Sequence, residues 1–445
     1  MSTVDLERFA RQSVQALHDQ DPALYQLLER EHQRQQDVLW LVASSSTSEP
    51  SVLSCGAMTI GNMTTDGYPG RRYLPGCELA DAVEVLAIER AKSLFRAVHA
   101  NVQPNSGTAA NQSILFKFLR HGDPFMGMDL RAGGHLTHGS KASLLGNYFK
   151  PVPYGVDSDG WIDYDVVRTI ARQARPKLII AGASAYSRVI DYKQFRTIAD
   201  EIGAYLLADI SHISGLIATD ELPSPIDDAH FTTMSTYKQL WGPKGGLIVL
   251  GKDAAGDVRH DNGGLMSGVD RGVSPILQDT PNLAAIAAKA RALAFVASDR
   301  FKVIAKQITW SAKLMAAQLV SRGYRLLTGG TDNHIVFIDL RPRGITGVVA
   351  ERALEECNII ANRNPIPNDL MPPHVASGLR FGTNIIAARD LTAEAIVRSV
   401  EVIDQVLSSV EMLGESRYRL PDAVKSQARR DIADLCRSFP IPGYL

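Results

Sequence analysis

Cysteine is scarce in this chain of 445 residues: four, Cys55, Cys77, Cys357 and Cys436, with no CxxC spacing among them. That scatter excludes a disulfide framework and a cysteine-built zinc site. Long apolar runs are also missing. No stretch approaches the roughly 18 residues a membrane helix needs, and no charged-then-apolar leader opens the chain. A soluble, cytoplasmic protein is the expectation. Charge of one sign is absent too: the formal net charge is -1 at pH 7. No global field therefore recruits nucleic acid or an anionic membrane. Internal repeats and low-complexity tracts are lacking. What remains, 45% hydrophobic and 21% charged residues, is ordinary globular composition.

The length suits two or three domains sharing a cleft. We expect an N-terminal helical arm over 1–60, a large domain over 61–300 and a smaller C-terminal α/β domain over 301–445. Asp21-Pro22 forms a cap and first-turn pair ahead of the apolar stripe Leu24, Leu27 and Leu28. Helical period runs over Val83 to Phe95 and Thr108 to Leu119. Asp163 can cap a helix, and the strand Leu178 to Ala181 follows. A helix over Tyr192 to Ile202 and a strand over Tyr205 to Ala208 come next. Alternating helices and short apolar strands indicate a mostly parallel sheet covered on both faces. Ligands of such sheets bind beyond the carboxyl ends of the strands. Residues 251–280, rich in Gly and Asp, read as a long loop. One long helix is expected from Asn282 to Leu319, and the strand Ile335 to Ile338 opens the smaller segment.

Lys238 stands between the hydroxyl-rich run Thr232-Thr233-Met234-Ser235-Thr236-Tyr237 and a Gly/Pro turn, with the apolar strand Leu247 to Leu250 beyond. A lysine in that setting suits a carbonyl-condensing amine, although a lone lysine before a turn is ordinarily a surface residue. Ser106-Gly107-Thr108 precedes a helix and offers free N–H groups, a favourable dipole and two hydroxyls to a phosphate. The same pattern also serves as a plain helix cap. Asp209 ends a strand at the carboxyl edge, where it can face a pyridinium nitrogen or cap the next turn. In Gly133-Gly134-His135-Leu136-Thr137-His138-Gly139 the paired histidines lack a third ligand at suitable spacing, so ring stacking is preferred over metal binding. Arg380, on a Gly-flanked strand, suits a bidentate grip on a carboxylate or a surface ion pair.

Together with Asp66-Gly67-Tyr68-Pro69-Gly70-Arg71-Arg72-Tyr73, Ala100-Asn101-Val102-Gln103-Pro104 and Ala183-Ser184-Ala185-Tyr186, these segments resemble the serine hydroxymethyltransferase family. The likeness spans from about Leu39 to Pro440. It implies a fold-type I pyridoxal-phosphate (PLP) enzyme with a seven-stranded, mostly parallel sheet and a smaller C-terminal α/β domain. It also implies hydroxymethyl exchange between a β-hydroxy amino acid and tetrahydrofolate. By resemblance, Lys238 forms the Schiff base, Asp209 pairs with the ring nitrogen and His135 stacks on the ring. Ser106, Gly107 and Thr108 hold the phosphate, and Ser184 and His212 lie near the phenolic oxygen. Arg380, Ser44 and Tyr73 bind the amino-acid carboxylate, Asp66 handles protons, and Tyr237 stands beside the lysine. Leu130, Gly134, Leu136 and Asn364 match folate contacts. A homodimer or dimer of dimers sharing its sites is implied; no metal is.

The departures from the family pattern fall near the site. Asp66 replaces a glutamate, withdrawing the carboxylate by about 1 Å. Thr64 and Leu74 stand where the family carries tyrosines, and Tyr237 where it carries a histidine. Asp279-Thr280 replaces a glycine pair, and because an acidic group repels phosphate, that loop is expected to run differently. Losing two rings is expected to open volume for a substituent on the α-carbon, which makes α-methylserine a candidate substrate beside serine and glycine. A threonine-type aldolase or transaldolase is the enzymatic alternative, and a non-catalytic binding subunit the other.

Overall fold

The computed structural model describes residues 5–255 and 264–444. Its centre is a seven-stranded sheet in the spatial order 99–101, 246–250, 231–235, 205–209, 178–182, 124–128, 150–154. Only Gly246–Leu250 runs against the others, pairing antiparallel with both of its neighbours. The remaining neighbour pairs are parallel. Leu178–Gly182 and Gly246–Leu250 are apolar and buried throughout, as two-sided coverage requires, and Phe231–Ser235 is buried too although it carries Thr232, Thr233 and Ser235. One face packs on Ala87, Ala91, Phe195, Ile198 and Ile286, the other on Ile114, Leu115, Leu265 and Val269.

A second, all-antiparallel sheet joins Arg325–Leu326, Ile335–Asp339, Gly378–Gly382 and Asn362–Asn364. Its core draws on Val336, Leu379, Ile403 and Ile432. Leu39 and Leu41, just after the N-terminal helices, join that same core, and Leu39–Trp40 pairs in parallel with Ile359–Ile360. The chain's start is thus stitched to its C-terminal part.

Expected caps form. Asp21 accepts the N–H of Leu24 with Pro22 in the first turn, and Asp163 accepts those of Asp165 and Val166. Two expectations need correction. The described part of 251–280 is largely helical: Gly264–Arg271 is an α-helix and Gly272–Leu277 continues as a wider turn. Its Gly residues serve close packing, because a Cβ at Gly268 would press on the Phe118 ring and one at Gly272 on Lys117. The long helix after Asn282 is two helices, Leu283–Val296 and Asp299–Ser321. Ser298 breaks them by accepting the N–H of Phe301, a capping signal hidden inside a continuous apolar period. No helix among the described residues is long and apolar enough to cross a membrane.

Candidate active site

Five parallel strands deliver their carboxyl ends to one cavity, about 410 Å³ of space free of protein atoms. Its walls include Ser106, Gly107, Thr108, His135, Ser184, Asp209, His212, Tyr237 and Lys238. Residues from sequence positions 106 to 238 converge because each follows a strand of one sheet.

Asp209 anchors the floor. Its Oδ2 accepts Asn111 Nδ2–H at 2.8 Å and faces His138 Nε2 at 3.0 Å, while its Oδ1 accepts the Ser211 N–H at 3.0 Å. His138 Nδ1 accepts the backbone N–H of His135, so Nε2 carries the ring proton and donates it to Asp209. Burial opposes the carboxylate's charge. The His138 hydrogen bond and neighbouring positive potential outweigh it, holding the carboxyl far below its ordinary range. Gly182 makes room, since a Cβ there would lie 2.9 Å from Asp209 Cβ. The outcome is a permanently charged acceptor facing the cavity.

Lys238 is nearly fully buried, and among the described residues no hydrogen bond or ion pair holds its ammonium. Burial pushes its pKa down to about 8, against the pull of Asp209. Burial likewise lowers His135 to about 4, keeping that imidazole neutral. Thr137 N–H donates to His135 Nδ1 at 3.2 Å, which fixes the ring. His212 is also neutral, driven well down by burial, and it stacks on His334 with centroids 5.9 Å apart.

Arg380 lies one layer behind the wall. Its Nε and one terminal nitrogen donate to Asn362 Oδ1 at 3.3 and 3.1 Å, and the other terminal nitrogen donates to the carbonyl of Ser184. Among the described residues no carboxylate pairs with this buried guanidinium, and burial lowers its pKa to about 10. Of five N–H donors three are used. One remains on each terminal nitrogen, so two donors are left for a carboxylate.

A family model for serine hydroxymethyltransferase matches residues 17–403. The chain belongs to that family. It is a fold-type I, PLP-dependent one-carbon transferase, and the family uses tetrahydrofolate as co-substrate.

The hydroxymethyltransferase cavity fits PLP on two observations of its own. The buried Nδ1 of His212 has no hydrogen-bond partner and is available to a ligand. At Gly107 a Cβ would lie 3.3 Å from Ser211 Oγ and collide with Ser235 Oγ, so only glycine leaves the hydroxyl-lined cradle open. Ser106 Oγ caps the helix Gly107–Phe118 by accepting the Ala109 N–H and still has its own proton to give.

Not every residue named from the sequence lines this cavity. Asp66, Tyr73 and Ser44 do not, nor do Leu130, Gly134, Leu136 and Asn364. Tyr73 is 81% exposed, and Asp66 accepts a hydrogen bond from Thr280, in the segment where the family has its glycine pair. Leu130 and Leu136 are exposed apolar side chains near the histidine turn. Spacing also failed to show a third ligand for the histidines, yet folding supplies one: ligand atoms of His135, His138 and Asp209 all lie within 4.8 Å. Sequence reading missed Asn111, His138, Ser235 and Asn362 as supports. The visible signal for Asn111 was a polar residue one turn beyond the cap, on an otherwise buried helix face.

The lysine's pKa gives a prediction. Below about pH 8 the free-amine fraction of Lys238 rises tenfold per unit, so capture of added PLP by the apo-protein should accelerate up to that pH and then level off. Stopped-flow absorbance across pH 6–10 measures this. A pH-independent rate contradicts a buried amine as the reacting group.

Proposed function

We propose that this enzyme exchanges a hydroxymethyl group between a β-hydroxy amino acid and tetrahydrofolate, and that its substrates include α-methylserine as well as serine. PLP, when bound, supplies an aldehyde for the amine and a ring that absorbs the electron pair left on the α-carbon. The rest is work for side chains. Lys238 presents the exchangeable amine, and Asp209 keeps a proton on the facing ring nitrogen. The neutral His135 covers the ring face without adding charge, and Ser106, Gly107 and Thr108 bind the phosphate. Arg380, held by Asn362 and the Ser184 carbonyl, orients the substrate through its carboxylate. The observation that carries this reading is the buried, unpaired Arg380 beside a cavity floored by ionised Asp209.

Asp66, Thr64, Tyr73 and Leu74 act, in this reading, on the site of a second copy. Support comes from the exposed apolar side chains around them: Leu53, Met63, Tyr73, Leu74 and Leu79. A homodimer with shared sites buries that face and brings Asp66 to the proton transfer. Leu130, Leu136, Gly134 and Asn364 would flank the pterin. The absence of tyrosine at Thr64 and Leu74 is the basis for accepting an α-substituent.

Turnover of serine and α-methylserine, each with and without tetrahydrofolate, tests the proposal. Threonine plus an aldehyde serves as the aldolase control. Leu74→Tyr should cut kcat/KM for α-methylserine roughly tenfold while changing serine little, because one misfitted methyl group is worth about 1–3 kcal/mol in a pocket. No turnover of α-methylserine by the wild type removes that part of the reading.

A further inference from the structure

The helix Leu283–Val296 is apolar nearly all round, yet Lys289 sits in its middle, 3% exposed. Lysine is almost never that buried without a partner. Here the partners are three backbone carbonyls: Nζ donates to Val102 at 2.6 Å, Gly246 at 2.9 Å and Pro104 at 3.0 Å. Three acceptors use all three ammonium protons. Burial drives the pKa down to about 7, opposed by the carboxylate of Glu84.

Those carbonyls lie at informative places. Val102 and Pro104 lead into the turn Ser106-Gly107-Thr108, and Gly246 begins the strand that leaves the Lys238 loop. The two segments touch closely: Gly246 N–H donates to the Pro104 carbonyl at 2.8 Å, and a Cβ on Gly246 would collide with the Ser106 carbonyl. We propose that Lys289 is a positioning residue for the cofactor's phosphate, clamping the approach to the phosphate turn onto the strand that follows the Schiff-base lysine. It touches no reacting group itself. The proposal rests on the assignment of Ser106, Gly107 and Thr108 as the phosphate turn.

Two variants test it by binding rather than turnover. Lys289→Met removes the ammonium. Gly245→Ala keeps the ammonium but displaces it, because the new Cβ would collide with Cε and lie 3.0 Å from Nζ, with Thr236 Oγ1 the other close atom at 2.9 Å. Each apo-protein is titrated with PLP and with pyridoxal, following absorbance, and its thermal melting is recorded. Both variants should lose PLP affinity by roughly ten- to hundredfold, as supporting groups behind a site commonly do, with pyridoxal affinity within threefold of wild type. Equal loss for both ligands, or no loss for either, overturns the proposal. If Lys289→Met does not fold, Gly245→Ala decides alone. Failure of the wild type to bind PLP would instead strike the cofactor-site reading.

Discussion

Lys238→Ala is expected to purify without the yellow colour of the wild-type protein and to lose activity by three orders of magnitude or more, about 4 kcal/mol of barrier. Neither Lys244 nor Lys289 can substitute. Lys244 is the nearest lysine in sequence, and its Nζ lies over the Tyr237 ring at 3.6 Å, engaged in a cation–π contact. Lys289 is tied to three carbonyls. His212 and His334 are buried imidazoles with lowered pKa values and cannot form a neutral imine. The variant should fold, because removing a buried ammonium without a counter-ion relieves a desolvation cost rather than breaking a contact. An apo melting temperature at or above that of the wild type, with no absorbance band above 400 nm after PLP addition, is the result to look for. A coloured, active Lys238→Ala protein would place the reacting amine elsewhere.

The parts of this design visible in the sequence were those set by local rules. The caps Asp21 and Asp163 and the strands at 178 and 205 follow from short-range patterning and stand where expected. Lys238, Asp209 and Ser106 were legible because each sits at an element end, where hydroxyls and glycines cluster. The supports behind them were not. Asn111 bridges Asp209 and Thr137 while accepting from Thr233 at 2.6 Å, so its three partners come from three distant segments. Nothing in the spacing of 111, 137, 209 and 233 predicts that meeting; sheet order creates it. Asn362 reaches Arg380 for the same reason, being its cross-strand neighbour in register. Lys289 was hidden differently, as one of two charges, with Arg291, in an otherwise apolar helix that periodicity treats as noise.

The break at Ser298 carries the converse lesson. Apolar period continued across it, so hydrophobic pattern predicted one helix, and a single serine accepting the Phe301 N–H won. Gly-rich composition misled at 264–277 in the opposite direction. There glycine permits close packing on Phe118 and Lys117 rather than loop freedom. Composition reports what a residue permits, and only the neighbours decide which permission is used.

Asp209→Asn is the second change with a large expected effect. The replacement is nearly isosteric, so the Asn111 and His138 donors still find an oxygen, but the new NH₂ faces the Ser211 N–H, donor against donor. More important, in the proposed reading the cofactor's ring nitrogen would lose the charge that holds its proton. We expect kcat to fall about a thousandfold, near 4 kcal/mol of barrier, with PLP still bound through Lys238 and the phosphate turn. The pH profile adds a signed test. Asp209's folded pKa lies far below the ordinary carboxylate value, so its stabilising charge is fully present above about pH 4 and is lost only as pH falls through the folded value. An acid limb of activity between pH 5 and 7 therefore belongs to another group and should keep its midpoint in Asp209→Asn, on a lowered plateau. Asp209→Glu, which keeps the charge but must crowd the backbone at Gly182, should recover part of kcat. If Asn and Glu lose activity equally, packing rather than charge is what this position supplies; if Asn retains wild-type kcat, the carboxylate does not serve the ring nitrogen.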